Sequence, residues 1–387
     1  MKRARVAVVS SHLCAGGGSE ACAVWIIEAL KEQYDVTLIT GQPIIVSELN
    51  RFYNTLLKPD EISVDVVPLP FLLRIFNRFA ALRGYRLSRY SKSVSLNFDL
   101  MFSAYGFMDF RKRGIQYILD PNFNEQLLKM LNPSPRKWKS WFYKDTFIRK
   151  FYLRLGDRLR GFSFENTKNN ITLVDSDWTG AFVHDIFGLE TITVYPPVLA
   201  KYPYVPWEER EDGFICMGRI VPEKQIERSI EIIRNLRSVF PKIHLHIFGK
   251  IGDRAYGNYL KALISENKGW LFLEGDVGWE QKTELLSKHK YGIHGKENEP
   301  FGIVIAEMAS AGCLVWVPNS GGQVEIVSHQ LLTYANVAEA VMKISSVIQD
   351  LDLQEKIKDH LEKQSKLFSV EKYQSDIRRV VCQALAK

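Results

Sequence analysis

Residues 5–40 read RVAVVSSHLCAGGGSEACAVWIIEALKEQYDVTLIT, and the fold class follows from this stretch. The β-branched run RVAVVSS has the composition of a strand and is followed by three glycines, and residues 19–33 then carry the apolar spacing of a helix. DVTLIT, at residues 35–40, has the composition of a second strand. Strand, glycine loop, helix and strand form a βαβ unit, which predicts a parallel sheet covered by helices.

The same alternation of strand and helix occurs twice along the chain. In the first half, further strands are predicted at SVDVVPL, NFDLMFSA, IQYIL and NITLVDS. The proline-bearing stretch TVYPPVLAKYPYVPWEERED, residues 193–212, has no periodic pattern and is interpreted as a linker. Beyond it we expect strands at residues 213–219, 243–249, 270–275, 290–295 and 313–318, and helices at 223–240 and 302–311. A chain of 387 residues exceeds one ordinary core, so we expect two α/β domains with a cleft between them.

Composition restricts the class of protein. The five cysteines are scattered, without a CxxC pair or a Cys/His cluster at metal-ligand spacing, which favours a reduced, cytoplasmic setting. The sequence contains no run of about eighteen apolar residues, so a membrane-spanning helix is not predicted.

The net charge of +7 is concentrated in two segments that interleave basic and aromatic residues. Residues 71–95 contain six basic residues and no acid, and residues 136–160 contain nine basic residues and two acids. Such segments suit a peripheral contact with an anionic membrane surface. The alternative is a pair of solvated helices whose apolar faces pack on the domain. Nucleic acid is not expected as a partner, because no recognition motif accompanies the charge.

Two motifs in the second half contain charged residues next to glycines. GRIVPEKQ, residues 218–225, places Arg219 and Lys224 after a predicted strand, where two cations suit a diphosphate, although such cations are commonly just solvated. ENEPFGIVIAEMASAG, residues 297–312, places Glu299 before a predicted helix and Glu307 within it. The first amides of a helix bind anions, and a carboxylate accepts hydrogen bonds from a vicinal diol. The alternative is a helix with an acid at its start and an exposed acid in its middle.

Glycine-rich loops are the remaining candidates. The loop after the first strand has glycines at 16–18 and does not match GxGxxG, so no dinucleotide fingerprint is present. Asn319, Ser320, Gly321 and Gly322 follow the last predicted strand, where they permit close approach to a ligand or form an ordinary turn.

In their order and spacing, several motifs together resemble the GT-B glycosyltransferases of the large GT4 group of retaining enzymes. The motifs are HLCAGGGSEACAVW, TLVDSDWT, TVYPPV, GRIVPEK, HGKENEPFGIVIAEMASAG and VPNSGG. The resemblance is close in character to mannosyltransferases that extend lipid-linked oligosaccharides. It implies two Rossmann-like domains facing each other across a deep cleft, with a C-terminal helix that crosses back. The expected domains are 1–196 plus about 370–387, which binds the acceptor, and 197–369, which binds the nucleotide sugar.

The resemblance also implies roles for individual residues. Arg219 and Lys224 would bind the donor diphosphate and assist its departure, Glu299 would contact hydroxyls of the transferred sugar, and Glu307 would hold the ribose. The other implied donor-binding residues are Gly17, Gly18, Gly218, Gly249, His294, Pro300, Phe301, Gly302 and Ile303. His12 and Gly16 would face the acceptor. His244 and His246 are interpreted as structural. No metal or other cofactor is expected, because Arg219 and Lys224 replace it.

One position departs from the family pattern. Many members carry a histidine that helps position the sugar, and the matching stretch here is YILDPNF, with Leu119 in its place and Asp120 next to it. Asp120 is therefore included as a candidate catalytic residue. The expected activity is retaining transfer of a hexose from a UDP- or GDP-sugar to a saccharide or lipid-linked acceptor, by a cytoplasmic protein peripheral to the inner face of the plasma membrane. The alternative is a catalytically silent module that binds a nucleotide sugar or glycan.

Overall fold

The structure, a computed structural model, divides into two compact α/β units. It describes residues 3–11, 13, 17–68, 80–104, 106–120, 131, 163–199 and 201–386. The first unit is built from the described residues up to Asp120, those from 163 to Pro197, and the closing segment from Val370. The second unit is built from Val198–Ser369. Each unit is described below by itself.

In the described residues of the first unit, a parallel sheet of seven strands has the order β3-β2-β1-β4-β5-β6-β7. The strands are β1 Arg5–Ser10, β2 Asp35–Thr40, β3 Ile62–Val66, β4 Leu100–Ser103, β5 Ile115–Ile118, β6 Ile171–Val174 and β7 Thr191–Thr193. The helices before the second unit are α1 Gly18–Leu30, α2 Val46–Tyr53, α3 Ala80–Val94, α4 Phe164–Thr167 and α5 Asp177–Phe187. The predicted βαβ unit is confirmed, with β1 and β2 paired in parallel.

In the second unit a parallel sheet has the order β10-β9-β8-β11-β12-β13. Its strands are β8 Glu211–Met217, β9 His244–Phe248, β10 Leu271–Gly275, β11 His289–Ile293, β12 Leu314–Pro318 and β13 Thr333–Tyr334. Its helices are α6 Ile226–Leu236, α7 Arg254–Ser265, α8 Trp279–Lys288, α9 Ile303–Ser310, α10 Gln323–Val327, α11 Val337–Ile348 and α12 Leu351–Ser365. The predicted α/β class is therefore confirmed for both units.

Two predicted helices begin later than expected. The helix predicted at 223–240 is a short 3-10 turn, Pro222–Lys224, followed by α6. The two are separate because Gln225 between them has a left-handed backbone with φ of 50°. The helix predicted at 302–311 begins at Ile303, because Gly302 caps it with a left-handed φ of 100°.

The last helix, α13 Val370–Leu385, packs on α1 of the first unit. It buries Tyr373, Ile377, Val380 and Val381. The Tyr373 hydroxyl donates to the carbonyl oxygen of Cys22 at 3.1 Å. The end of the chain thus completes a core that its beginning forms.

The basic segment at 71–95 lies partly outside the described residues, and the segment at 136–160 lies wholly outside them. The described part is largely α3, which packs on the first core through Leu87, Tyr90 and Val94. That packing matches the alternative of a helix with an apolar face on the domain, while Arg86 and Arg89 are exposed. Within the described part of the chain, helices with the length and apolarity needed to cross a membrane are absent.

Candidate functional site

The candidate site lies in the second unit, where β8 and β11 are neighbours in the sheet although three helices separate them in the chain. This is the switch point of an open α/β sheet, and ligands bind there at the carboxyl ends of the strands. Gly218 and Arg219 directly follow β8, and His294 and Gly295 directly follow β11.

Two of the predicted glycines allow the strand ends to approach closely. Gly218 and Gly249, after β8 and β9, have φ of 142° and 144°. A Cβ on Gly249 would lie 2.0 Å from the carbonyl oxygen of Gly218. No larger residue fits at Gly249 without moving backbone, so the floor of the site is bare peptide.

Glu299 is the centre of a buried ionic cluster. Its Oε2 lies 2.7 Å from Nζ of Lys224, 3.5 Å from Nζ of Lys296 and 3.3 Å from Nε2 of His294. The Lys224 and Glu299 side chains are 17% and 11% exposed, so this is a contact inside the protein. From the sequence, Lys224 and Glu299 were both predicted to contact the donor, but an ion pair between them was not predicted.

Burial and charge oppose each other in this cluster. Burial favours the neutral form of Glu299, but the charges of Lys224 and Lys296 and the hydrogen bond with His294 outweigh it and hold the carboxyl pKa well below its usual range. Burial lowers the pKa of His294, against the opposing influence of Glu299. Burial also lowers the pKa of Lys224. Glu299 is therefore ionised at neutral pH, and His294 is neutral.

Arg219 is the exposed cation of the group. A small cavity beside it is lined by Cys216, Met217, Gly218, Arg219, Lys224, Ile226 and His294. Four of those seven were predicted for the donor site from sequence, and the structure brings these four together.

The turn before α9 is held by the loop at residues 319–322. The amide of Gly322 donates to the carbonyl oxygen of Glu299 at 2.9 Å, and the amide of Asn298 donates to Oγ of Ser320 at 3.0 Å. A Cβ on Gly321 would lie 2.4 Å from the Glu299 carbonyl oxygen, so glycine is needed there. The VPNSGG loop thus fixes the backbone that carries Glu299.

Of the residues at the start of α9, Phe301 is buried and meets Phe368 edge to face at 5.4 Å. Pro300 and Gly302 are also buried, and Ile303 is half-buried as the first residue of the helix. Phe301 and Pro300 thus anchor the turn, and the backbone rather than these side chains is what the site offers to an anion.

Glu307 lies one to two turns into α9 and is not the exposed acid of the alternative interpretation. Its Oε1 lies 2.5 Å from Nζ of Lys282 on α8, and its side chain is 14% exposed. Lys282 in turn lies over the ring of Trp279, 5.1 Å from its centroid. The structure therefore gives each predicted acid a lysine partner.

The predicted residues of the first unit are described separately. Gly17 caps α1 with an extended backbone, and Gly18 is the exposed first residue of that helix. Asp120 is exposed just after β5, and Leu119 is half-buried. His12 and Gly16, predicted for the acceptor, lie outside the described residues.

Two residues of the site were missed from sequence. Lys296 lies near Glu299, and its signal was the spacing of HGKENE, three residues before the acid. Lys282 carries no motif, because its contact with Glu307 joins two helices that the sequence does not relate.

Comparison with known proteins bears on the second unit most directly. Residues 204–364 match the family model described as Glycosyl transferases group 1. The chain carries a group 1 glycosyltransferase domain. The domain covers β8 to β13 and all the residues of the ionic cluster. The GT4 resemblance is consistent with this family.

Curated relatives carry one name, "GDP-Man:Man(3)GlcNAc(2)-PP-Dol alpha-1,2-mannosyltransferase". The Dictyostelium discoideum protein is 28% identical over 42% of this chain and 36% of its own length. The Neurospora crassa protein is 24% identical over 58% of this chain and 47% of its own length. The match therefore spans between about a third and a half of these relatives.

Solved structures resemble nearly the whole chain in fold. HepE of Anabaena in complex with UDP-glucose has a TM-score of 0.68 at 15% identity, covering 98% of this chain and 100% of its own. Sucrose-phosphate synthase from Thermosynechococcus elongatus has a TM-score of 0.70 at 15% identity, covering 99% and 100%. At such low identity these similarities show the fold, which is GT-B.

Proposed function

We propose that this protein is a retaining glycosyltransferase that moves a hexose from a nucleotide-diphosphate sugar to a saccharide or lipid-linked acceptor. The observation that supports it most is the cluster of Lys224, Lys296, His294 and Glu299 at the sheet's switch point. The cluster lies next to the turn that begins α9, within the group 1 domain.

The charges of the cluster suit a departing diphosphate. Lys224, Lys296 and Arg219 bring three positive charges, and Glu299 cancels one of them. An excess of cations at a site with little water stabilises negative charge that develops on the leaving group. Lys224 and Arg219 bind the phosphates in this proposal, and Glu299 holds Lys224 in place while its other oxygen contacts a sugar hydroxyl.

We propose retention from the resemblance to the retaining GT4 enzymes, and the contacts of Glu299 argue against a covalent route to it. A carboxylate held on one oxygen by two lysines and a histidine is stabilised as an anion and is poorly suited to attack the sugar. We therefore assign Glu299 to binding rather than to a covalent intermediate. The acceptor hydroxyl attacks the sugar from the same face that the phosphate leaves, and the leaving phosphate takes the proton of that hydroxyl. Nuclear magnetic resonance of the product tests this step: the anomeric configuration of the donor is expected to be kept, and an inverted product contradicts the proposal.

GDP-mannose is the first donor to test, because the curated relatives are named for it. UDP-glucose is the second, since a structural neighbour binds it. A ligand that binds the folded state raises the melting temperature. We expect GDP to stabilise the protein more than UDP, ADP or TDP in a thermal-shift panel. A larger rise in melting temperature with another nucleotide would indicate that the donor carries that base instead.

The key experiment measures nucleotide released from each donor with a panel of saccharide and lipid-linked acceptors. We expect turnover in the wild type and its loss in Glu299→Gln. Glu297→Gln is the matched control, because Glu297 lies two residues away and pairs with Arg228 at 2.8 Å outside the Glu299 cluster. Turnover is expected to need neither Mg²⁺ nor Mn²⁺, because cations of the chain take their place.

A silent nucleotide-sugar-binding module is the second candidate. The half-buried Leu119 and the exposed Asp120 after β5, in place of a histidine, favour it. Nucleotide binding without turnover for every donor and acceptor would support this candidate. Where the wild type shows turnover, Asp120→Asn tests the role of Asp120, since the change lowers turnover only if Asp120 takes part in the reaction.

We also propose that the protein acts at the cytoplasmic face of a membrane, where a lipid-linked acceptor would lie. Arg86 and Arg89 are exposed on α3, within the basic segment at 71–95. Cosedimentation with vesicles that contain anionic lipid is expected to weaken in the Arg86→Ala/Arg89→Ala variant and at high salt. Equal binding by wild type and variant at all salt concentrations would contradict a role for α3.

A further inference from the structure

Three histidines meet at the opposite end of the same sheet. His244 and His246 lie on β9, and His289 begins β11. Their ring centroids are 5.2 Å apart for His244 and His246, 5.4 Å for His244 and His289, and 4.7 Å for His246 and His289. The strand register joins them to β8, where Glu211 pairs with His289 and Gly213 pairs with His244.

Gly213 makes room for the rings. A Cβ at this position would lie 2.2 Å from Nε2 of His244 and 2.6 Å from Cδ2 of His289. Any other residue would push the two rings away from β8. The glycine therefore allows rings from β9 and β11 to meet beside β8.

Each ring has an oxygen near its Nδ1 atom. Nδ1 of His246 lies 2.7 Å from Oε1 of Glu274, and Nδ1 of His289 lies 2.7 Å from the carbonyl oxygen of Leu285. Nδ1 of His244 lies 3.5 Å from the carbonyl oxygen of Lys242. These acceptors favour the tautomer with the proton on Nδ1 and the lone pair on Nε2.

Two of the Nε2 atoms are buried and lack a hydrogen-bond partner within the described ranges, those of His244 and His289. Oε2 of Glu211 lies 3.3 Å from the first and 4.0 Å from the second, without hydrogen-bond geometry. A buried polar atom without a hydrogen-bond partner costs free energy, so these two lone pairs favour a bound ligand.

We propose that His244, His246 and His289, with Glu211 as fourth ligand, form a structural site for a divalent transition-metal ion of the zinc class. One ligand atom from each histidine lies within 4.8 Å of the others. Tetrahedral zinc with Zn–N bonds of about 2.0–2.1 Å needs ligand atoms roughly 3.4 Å apart. Small ring rotations and a turn of the Glu211 carboxylate, whose side chain is 54% exposed, would close the site.

The surroundings have the features of a zinc site. Zinc-binding histidines commonly donate their other N–H group to a carboxylate or a backbone carbonyl, as His246 does to Glu274 and His289 to Leu285. Imidazole nitrogen suits zinc, copper and nickel more than magnesium or calcium. The sequence has no Cys/His cluster at metal-ligand spacing, but the fold brings three histidines from distant positions together.

The site is separate from the Glu299 cluster. Glu211, His244 and His289 begin β8, β9 and β11, whereas Gly218, Gly249 and His294 follow the ends of those strands. A strand of five residues spans about 17 Å. The ion would tie the amino ends of three strands together, and the expectation that the donor site needs no metal is unaffected.

The test uses the untagged full chain, stripped with a chelator and given one equivalent of ZnCl₂. We expect about one zinc per chain after gel filtration, a melting temperature raised by zinc, and the visible spectrum of tetrahedral Co²⁺ when cobalt replaces it. His244→Gln, His246→Gln and Glu211→Gln are each expected to weaken zinc binding at least tenfold and to remove the zinc-dependent rise in melting temperature.

Two controls separate binding from folding. His360→Gln changes a histidine of another close pair, in which the His329 and His360 rings are 5.4 Å apart, and is expected to bind zinc as the wild type does. In the presence of chelator, the His244→Gln and wild-type chains are expected to melt at similar temperatures. Zinc content near zero in the wild type, or equal binding by wild type and all three ligand variants, would overturn the proposal.

Discussion

At the scale of single residues, Glu299 combines two demands that usually conflict. It is buried, and it is charged, because Lys224, Lys296 and His294 lie around one of its oxygens. Removing one partner of a buried ion pair leaves the other charge without compensation, which is more costly than the pair itself is worth.

Glu299→Gln is therefore expected to lower stability by about 3–5 kcal/mol as well as to abolish turnover. Urea unfolding measures the first effect, and nucleotide release measures the second. The Lys224→Met/Glu299→Gln double variant should recover part of the stability but no activity. If the double variant loses as much free energy of unfolding as the two single variants lose together, the two side chains are not coupled.

Asp109 is a second buried carboxylate, and it stabilises the first unit. Its side chain is 1% exposed and pairs with Lys92 of α3 at 2.6 Å, and Asn166 donates to it at 3.1 Å. Burial favours the neutral acid, but these hydrogen bonds outweigh burial and lower the pKa of Asp109 below its ordinary 3.8.

A lowered pKa has a defined consequence for acid stability. The unfolded chain binds the proton before the folded chain does, so Asp109 contributes stability above about pH 4 and loses that contribution as the pH falls through its lowered pKa. Asp109→Asn is expected to destabilise the protein by about 3–5 kcal/mol at pH 7 and by less at acid pH. Glu165→Gln, which removes an exposed pair with Lys168, should cost about 0–1 kcal/mol throughout.

At the scale of secondary-structure elements, the carboxyl ends of β8 and β9 can be tested through one glycine. Gly249→Ala places a Cβ 2.0 Å from the Gly218 carbonyl oxygen at a residue with φ of 144°. We expect a loss of more than about 2 kcal/mol of stability and weaker nucleotide binding. Gly278→Ala is the control, because a Cβ there meets nothing within 4 Å and no positive φ is involved. Equal nucleotide affinity in both variants would show that this strand end does not form the site.

The order of elements was largely predictable, because the β-branched runs and glycine punctuation of a parallel sheet are local signals. The start of α6 was not predictable, because it depends on the left-handed turn at Gln225. That turn packs tightly against Gly295, where a Cβ would lie 2.3 Å from the main-chain carbonyl oxygen of Gln225. The residues Arg219, Lys224, Glu299 and Glu307 were selected from motifs. Their partners Lys296 and Lys282 and the three-histidine cluster depend on side-chain contacts that spacing along the chain does not reveal.

At the scale of the whole molecule, the first unit takes its last helix from the end of the chain. α13 buries Ile377 against the first unit, and Arg378 donates from Nε to the carbonyl oxygen of Ala29 at 2.9 Å. Ile377→Ala is expected to cost about 2–5 kcal/mol.

Hydrogen exchange locates this loss. Amides of α1 and β1 should lose protection in Ile377→Ala, whereas those of Val198–Ser369 should keep theirs. Ser375→Ala, at an exposed position of the same helix, is expected to change neither. Loss of protection centred on the second unit would contradict the assignment of α13 to the first.

This chain path has a consequence for biosynthesis. A ribosome completes Val198–Ser369 before it begins α13, so the second unit can reach its final core while the first still lacks Tyr373 and its neighbours. Domains made earlier usually fold earlier. Here the unit whose synthesis begins first receives its last helix only after the second unit is made, and the face of α1 that α13 covers is exposed until α13 leaves the exit tunnel.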